Sequence, residues 1–319
     1  MIVFDKNRFV VEPLVSINVL TYNQEDFIKE TLDSILSQEC NFEYEIIVGE
    51  DCSTDNTREV CKRYQQKYPD KIKLVLPEIN GGLMVNCMNV CKEDRGKYVA
   101  GIAGDDYWCD TKKLQKQVDF LEANPEYGVC FTACWLQYED GHREFHPKSY
   151  VPCENGDVRH LAMYGPLGPA GTQMVRRELF QYINWEEIIK ADVYSEDYIT
   201  NAIWALYTKF AFLDDVTHVW RVVKNSISRG GTMRYQLGVL NIQKYLLYKY
   251  PHEYPFDSDT LQDRETYIRL KFAIKEGDYK AAKKYKHKIK TKEYKKKKLY
   301  KYFYGRFSFE LLKSHMLKL

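Results

Sequence analysis

The chain has 319 residues, 45% hydrophobic and 14% aromatic, which allows two domains or one large domain with an extension. Its formal net charge of +2 carries no global nucleic-acid signature. The balance is uneven, because residues from Asn241 onward hold 21 Lys+Arg against 9 Asp+Glu, which leaves the first 240 residues near −10. An acidic front half suits a metal site, and a basic tail suits an anionic surface.

Strand-like and helix-like segments alternate through the first 130 residues. Val15-Ser-Ile-Asn-Val-Leu20 is a β-branched run. Residues 24–38 follow, with Phe27, Ile28, Leu32, Ile35 and Leu36 at helical spacing. Tyr44–Gly49 reads as the next strand, and Ser53, Thr54 and Asp55 offer N-caps to a helix ending before Pro69. Ile72–Leu76 is a third strand, Asn80-Gly-Gly82 a turn opening a helix over 83–95, and Lys97–Ala103 a fourth strand. A helix over 112–122 and a strand over 129–138 come next, and 139–170 is loop-rich, with His142 and His146. Short strands are expected at 171–175, 210–212 and 216–223, and a helix after Tyr194-Ser-Glu-Asp197. From about Gly231 the pattern is helical: 235–249, 261–276 and a Lys/Tyr-rich 279–304, with a hairpin corner at Gly277-Asp278. The β-α-β-α order predicts an α/β fold, a Rossmann-like, mostly parallel sheet flanked by helices, with a C-terminal helical extension.

Nine cysteines at irregular spacing, with no His/Cys cluster of zinc spacing, predict reduced thiols in a cytosolic protein. No stretch reaches the roughly 18 apolar residues of a membrane span. The short, mixed N-terminal segment does not read as a secretory leader. The expected location is therefore cytoplasmic, with any membrane contact peripheral at the inner face of the plasma membrane.

In an open α/β sheet, ligands bind outside the carboxyl ends of the strands. That directs attention to the loops 21–26, 50–55, 80–82 and 104–108. The last contains Asp105 and Asp106. Adjacent carboxylates at the end of a buried strand repel unless a cation or strong donor sits between them. Oxygen ligands of this kind suit Mg or Mn, ions that arrive with substrate phosphates. Taken alone, the pair is as readily a polar turn in which Asp106 caps the next helix.

The loops in this order resemble the family-two nucleotide-sugar glycosyltransferases of the A-type fold. Val15–Asn23 is similar to their first strand and nucleotide loop, and Gly49-Glu-Asp-Cys-Ser-Thr-Asp-Asn-Thr57 to their acidic second-strand motif. Asn80-Gly-Gly82 resembles the glycine turn before the third helix. Gly104-Asp-Asp-Tyr-Trp108 with Lys113-Leu-Gln-Lys-Gln117 resembles the metal motif, and Ser195-Glu-Asp197 the late acidic motif that carries the base. The resemblance covers roughly residues 13–230.

It implies a metal-dependent, inverting hexosyltransferase that uses Mn or Mg. The donor is a nucleoside-diphosphate sugar, UDP-sugar favoured, and the acceptor a glycan or lipid-linked acceptor, as in cell-surface polysaccharide synthesis. Asp106 becomes the metal ligand, and Asp105 binds the ribose side or helps the metal. Tyr22 stacks on the base and Asp51 accepts from a base N–H. Thr21, Asn23, Glu25 and Ser53 line the same loops, and Gly82 lets the backbone approach the nucleotide. Asp197 is the general base and Glu196 orients the acceptor; the plainer reading of Ser195–Asp197 is the cap and first turn of a helix. Two departures stand out. Many relatives carry an acid where this chain has Ala103. Many also carry a histidine after Tyr/Trp-Arg, whereas Val219-Trp-Arg-Val-Val-Lys-Asn-Ser226 has none. Arg221 or Lys224 is then the candidate to meet the diphosphate, and nearby His218 reads first as a structural residue.

The expected division is a catalytic domain over 1–232, made of a nucleotide-binding half (13–108) and an acceptor-side half (109–232), followed by a basic extension over 233–319. The Lys runs of the extension, interleaved with Tyr, suit docking on anionic lipid at about 1 kcal/mol per Lys; nucleic acid is disfavoured as a partner because no recognised binding module accompanies the run. Two alternatives remain for the whole chain. One is a non-catalytic sugar-nucleotide or glycan-binding module. The other, a sugar nucleotidyltransferase, calls for a Gly-rich, basic loop where this chain has Thr21-Tyr-Asn-Gln-Glu25.

Overall fold

A computed structural model describes residues 2–4 (backbone only), 12–146, 156–162, 165, 167–223 and 232–290. In chain order the strands are β1 (Ile2–Phe4), β2 (Val15–Thr21), β3 (Tyr44–Glu50), β4 (Ile72–Leu76), β5 (Tyr98–Ala103), β6 (Tyr107–Trp108), β7 (Tyr127–Tyr138), β8 (Arg143–His146), β9 (Met174–Arg176) and β10 (Lys209–Val222). The helices are α1 (Ile28–Leu36), α2 (Thr57–Lys67), α3 (Leu83–Cys91), α4 (Lys113–Ala123), α5 (Arg159–Ala162), α6 (Trp185–Lys190), α7 (Glu196–Trp204), α8 (Met233–Lys249), α9 (Ser258–Glu276) and α10 (Tyr279–Lys288). Short 3-10 turns cover Ala170–Thr172 and Arg177–Tyr182.

The strands form one sheet in the order β1-β4-β3-β2-β5-β9-β7-β10-β6, with β8 paired to β7. Pairs β3–β4, β2–β3, β2–β5 and β7–β10 are parallel. The crossovers through α1, α2 and α3 bring the carboxyl ends of β2, β3, β4 and β5 to one edge, as the alternation of elements requires. β3 and β4 are buried along their full length and β2 at all but Leu20, the mark of central parallel strands covered on both faces. Val15, Ile17, Val19, Ile46, Val48, Leu74 and Ile102 pack there with Ile28, Leu32 and Ile35 of α1. Glu45, also buried in β3, is neutralised by Arg95, whose Nε and Nη2 donate to Oε2 at 3.0 and 2.7 Å.

The observed elements depart from the expected ones at several points. The strand expected at 171–175 is a 3-10 turn followed by β9, the helix expected over 24–38 is the shorter α1, and β1, β6 and β8 are not among the expected elements. Residues 210–212 and 216–223 are one strand, β10, whose register against β7 breaks between Phe212 and His218. The bulge hides the alternation that would have joined them. The N-cap of α2 is Asn56; Asp55 instead accepts from the Thr57 N–H at 2.9 Å. Helix α3 stops at Cys91 rather than continuing to Arg95. Helix α10 ends at Lys288, with Ile289 extended; the expected continuation beyond residue 290 lies outside the described residues.

The chain divides into two compact units, residues 1–190 with 195–224, and residues 191–194 with 225–319. The sheet belongs to the first. In the second, Leu240, Leu261, Ile268 and Phe272 form one apolar cluster, and Leu270, Ala273, Ile274, Ala282 and Ile289 another. Gly277 at φ 78° closes α9, and Asp278 caps α10 by accepting from the Ala281 N–H at 2.9 Å. No described helix is long and apolar enough to cross a membrane.

Candidate functional site

Three loops at the carboxyl edge of the sheet are stitched to one another by their own side chains. Asn23, at φ 53°, follows β2. Its N–H donates to Ser53 Oγ at 2.9 Å, and its Oδ1 accepts from the Thr54 N–H at 2.8 Å. Glu25 Oε2 accepts from the Asn56 N–H at 2.8 Å, so this carboxylate sits on the first turn of α2. Ser53 and Glu25, both expected to line a nucleotide loop, therefore hold that loop's shape. Tyr22 projects from it at 44% exposure, a free aromatic face at the mouth of the site.

Asp51 is almost fully buried. Its Oδ1 and Oδ2 accept from the N–H groups of Gly81 and Gly82, each at 2.8 Å, and its carbonyl accepts from Asn80 Nδ2 at 2.8 Å. The carboxylate expected to read a base is thus the clasp that seats the glycine turn. Gly82 stands at φ 79°, and a Cβ there would meet nothing within 4 Å. Backbone conformation, not crowding, requires glycine at this position, and the space in front of it is open.

A fourth loop, after β5, carries the acidic pair. Thr31 of α1 fixes it from below, donating to the carbonyls of Gly104 and Asp106 at 2.9 and 2.6 Å. Asp106 is 6% exposed; its Oδ1 accepts the backbone N–H of Arg221 at 2.8 Å, and Oδ2 lies 3.3 Å from Nε2 of His218. Asp105 has its carboxyl pushed up to about 7, by burial first and then by the negative charge of Asp106; the Arg221 charge and a hydrogen bond from Gln24 offset only part of this. Thr21 closes the group by donating to Gln24 Oε1 at 2.8 Å.

Arg221 joins this cluster in a supporting place. Its Nη1 donates to the Asp105 carbonyl at 2.6 Å, Nη2 pairs with Glu30, and the guanidinium lies over the rings of Tyr107 (4.5 Å) and Phe27 (5.2 Å). Committed and almost fully buried, it braces the loop rather than presenting free donors to a diphosphate. Lys224, the other candidate for that task, lies outside the described residues.

The residues present suit a hard divalent cation. Among the described residues, no Lys or Arg side chain hydrogen-bonds to the carboxylate of Asp105 or Asp106. Burial is the main reason the Asp105 carboxyl is raised, and the negative charge of Asp106 adds to it, an addition that a bound cation would reverse. No group of three or more His, Cys, Asp or Glu converges on one point among the described residues, so an ion here would take further oxygens from substrate and water.

Glu196 and Asp197 open α7. Ser195 Oγ and the Tyr198 N–H both donate to Asp197 Oδ1, the latter at 2.7 Å. Burial pushes the Asp197 carboxyl up, and burial with the Asp197 charge pushes Glu196 up to about 8. Among the described residues, the side-chain hydrogen bonds of Asp197 stay within its own turn, and none joins it to the Asp105–Asp106 loop.

A family model for glycosyl transferase family 2 matches residues 16–183, more than half of the chain. The chain belongs to this family. The matched span contains the three stitched loops and the acidic pair, and it ends before Ser195–Asp197, His218 and Arg221. An uncharacterized protein of Mycobacterium tuberculosis is 41% identical over 138 residues, 43% of this chain and 40% of that protein. The chain thus aligns with less than half of that relative's length. Among solved structures, Staphylococcus aureus TarS in complex with UDP-GlcNAc has a TM-score of 0.56 at 19% identity, covering 88% of this chain and 77% of that one. The mannosyltransferase PcManGT of Pyrobaculum calidifontis, in complex with GDP-Man and Mn2+, also has a TM-score of 0.56, at 18% identity, covering 92% and 83%. Both show the same α/β fold, the A-type sheet of the family.

Sequence reasoning passed over one residue of this site and set a second, His218, aside as structural. Gln24 touches Asp105 but sits in a motif whose other members draw attention. His218 lies more than a hundred residues from Asp106, and only the bulge in β10 decides which side of the strand it occupies.

Proposed function

We propose that this chain transfers a sugar from a nucleoside-diphosphate donor, UDP-sugar first, to a hydroxyl of a glycan or lipid-linked glycan, with inversion at the anomeric carbon. The observation that carries this reading is the uncompensated Asp105–Asp106 pair at a sheet edge shared with exposed Tyr22 and the open Gly82 turn. The similarity to structures bound to UDP-GlcNAc and to GDP-Man with Mn2+ supports it.

Asp106, with Asp105 beside it, would hold Mn or Mg; the ion supplies Lewis-acid neutralisation of the diphosphate. Tyr22 offers a ring for the base, and the backbone at Gly82 allows close approach. Asp197 takes the proton of the acceptor hydroxyl as that oxygen forms its bond to the anomeric carbon; the bond from that carbon to the diphosphate oxygen breaks, and the nucleoside diphosphate leaves. Burial that raises the Asp197 carboxyl also makes it the stronger base. Glu196, raised to about 8, keeps its own proton near neutral pH and can donate a hydrogen bond to the acceptor.

A panel of UDP-, GDP- and dTDP-sugars assayed for transfer and slow hydrolysis with Mn2+ tests this. Turnover that needs metal and falls about 10²–10⁴-fold in Asp197→Asn, while nucleotide still raises the melting temperature, is the expected result. Wild type that binds nucleotide but turns over no donor makes the chain a binding module instead. Nucleotide that leaves the melting temperature unmoved, with or without Mn2+, removes the donor site altogether.

A further inference from the structure

Beneath the acidic pair lies a histidine with no assigned task. β10 carries His218 opposite Trp108 of β6 and Cys134 of β7. Its ring is 0% exposed. A Cβ built on Gly171 would fall 2.2 Å from its Cε1, so the ring rests directly on backbone. That backbone cannot retreat. The Gly171 carbonyl accepts from Trp108 Nε1 at 3.0 Å, and the Thr172 carbonyl accepts from Gln117 Nε2 at 2.9 Å. Lys113, with its Nζ 4.7 Å from the Trp108 ring, fills the space behind.

Neither ring nitrogen of His218 has a well-formed hydrogen bond among the described residues. Leaving a buried polar atom unpaired costs about 1–3 kcal/mol, so a histidine retained here calls for a partner. Nε2 has one within reach, Asp106 Oδ2 at 3.3 Å. Nε2 has no exposed surface, whereas the Asp106 side chain keeps 9% of its own. His218 therefore works through the carboxylate.

We propose that His218 is a positioning residue for the metal-binding carboxylate. Its Nε2 lies 3.3 Å from Oδ2 of Asp106, a hydrogen bond that a small turn of the ring completes, while the Arg221 N–H holds Oδ1 at 2.8 Å. Both carboxylate oxygens are then engaged from the protein side. Such partners behind a ligating carboxylate set its orientation and its basicity. This inference rests on reading the Asp105–Asp106 loop as a metal site.

The test measures Mn2+ binding by electron paramagnetic resonance of the full chain, with and without UDP, in wild type, His218→Ala and His218→Gln. It also records the imidazole ¹⁵N signals of histidine-labelled protein. Binding should weaken about tenfold or more in His218→Ala and largely recover in His218→Gln, whose amide nitrogen can replace Nε2. Nε2 should carry a hydrogen, with a signal that moves in Asp106→Asn. A merely packed ring predicts a lower melting temperature with unchanged Mn2+ affinity, and no rescue by glutamine. A bare Nε2, or Mn2+ binding by His218→Ala equal to that of wild type, overturns the proposal while leaving the metal reading in place. Wild type that binds no Mn2+ removes the metal reading, and this inference with it.

Discussion

Replacing Asp105 by Asn should stabilise the metal-free protein above neutral pH. The Asp105 carboxyl is pushed from 3.8 up to about 7. The folded state therefore holds a proton that the unfolded state has released once pH passes about 4, and stability falls as pH climbs from there to about 7. The direction is the reverse of an ordinary ion-paired aspartate. A difference of roughly three pKa units at about 1.4 kcal/mol each sets a ceiling near 4 kcal/mol. Partial exposure and relaxation of neighbouring groups bring the expected gain to about 2–4 kcal/mol at pH 8. For a unit of this size that is a rise in melting temperature on the order of 10 °C. The assay is thermal melting of wild type and Asp105→Asn in EDTA across about pH 4 to 8. The gain should be small at the acid end, grow through the window and level off above about pH 7. Saturating Mn2+ should then raise wild type more than the variant, because the ion supplies the missing counter-charge. No gain at pH 8 in EDTA, or a gain independent of pH, would refute the claim that the pair is uncompensated.

Three further outcomes follow from the same geometry. Asp51→Ala leaves the N–H groups of Gly81 and Gly82 without acceptors; it should cost about 2–4 kcal/mol in urea unfolding and abolish the nucleotide-induced thermal shift. Gly82→Ala tests backbone alone, since its Cβ has room: a loss of about 1–2 kcal/mol is expected from its positive φ, and no loss would mean the turn is free to change shape. In the second unit, α10 exposes Lys280, Lys283, Lys284 and Lys288, with Lys290 just beyond. At about 1 kcal/mol per Lys the chain should float with phosphatidylserine vesicles and be released by added salt; flotation that salt leaves unchanged, or none at all, rejects electrostatic docking.

The alternation of the parallel strands and their helices up to residue 130 was legible, apart from the short β1 and β6, because buried parallel strands and amphipathic helices leave different periods in sequence. β2, β3, β4 and β5 were each placed to within about a residue at either end. The strand β10 was not, because its bulge breaks the alternation that identifies a strand. The charge run beyond Gly277 marked a helix but not its end at Lys288, because the Lys pattern runs on unchanged past Ile289, where the backbone turns extended and the side chain packs on α9.

By itself the sequence determined the family and the sheet, and it singled out the acidic pair as the candidate centre, because these depend on local pattern and on motifs in fixed order. The tertiary structure alone decided what each polar group is free to do. Asp51, Ser53 and Glu25 look like ligand contacts in sequence, yet their hydrogen bonds go to the backbone of neighbouring loops. Arg221 looks like a phosphate clamp, yet it is folded under Asp105. His218 looks incidental, yet it lies against Asp106. A residue type declares its donors and acceptors; which of them are already taken depends on contacts across thirty to more than a hundred residues, and only the folded chain brings those together.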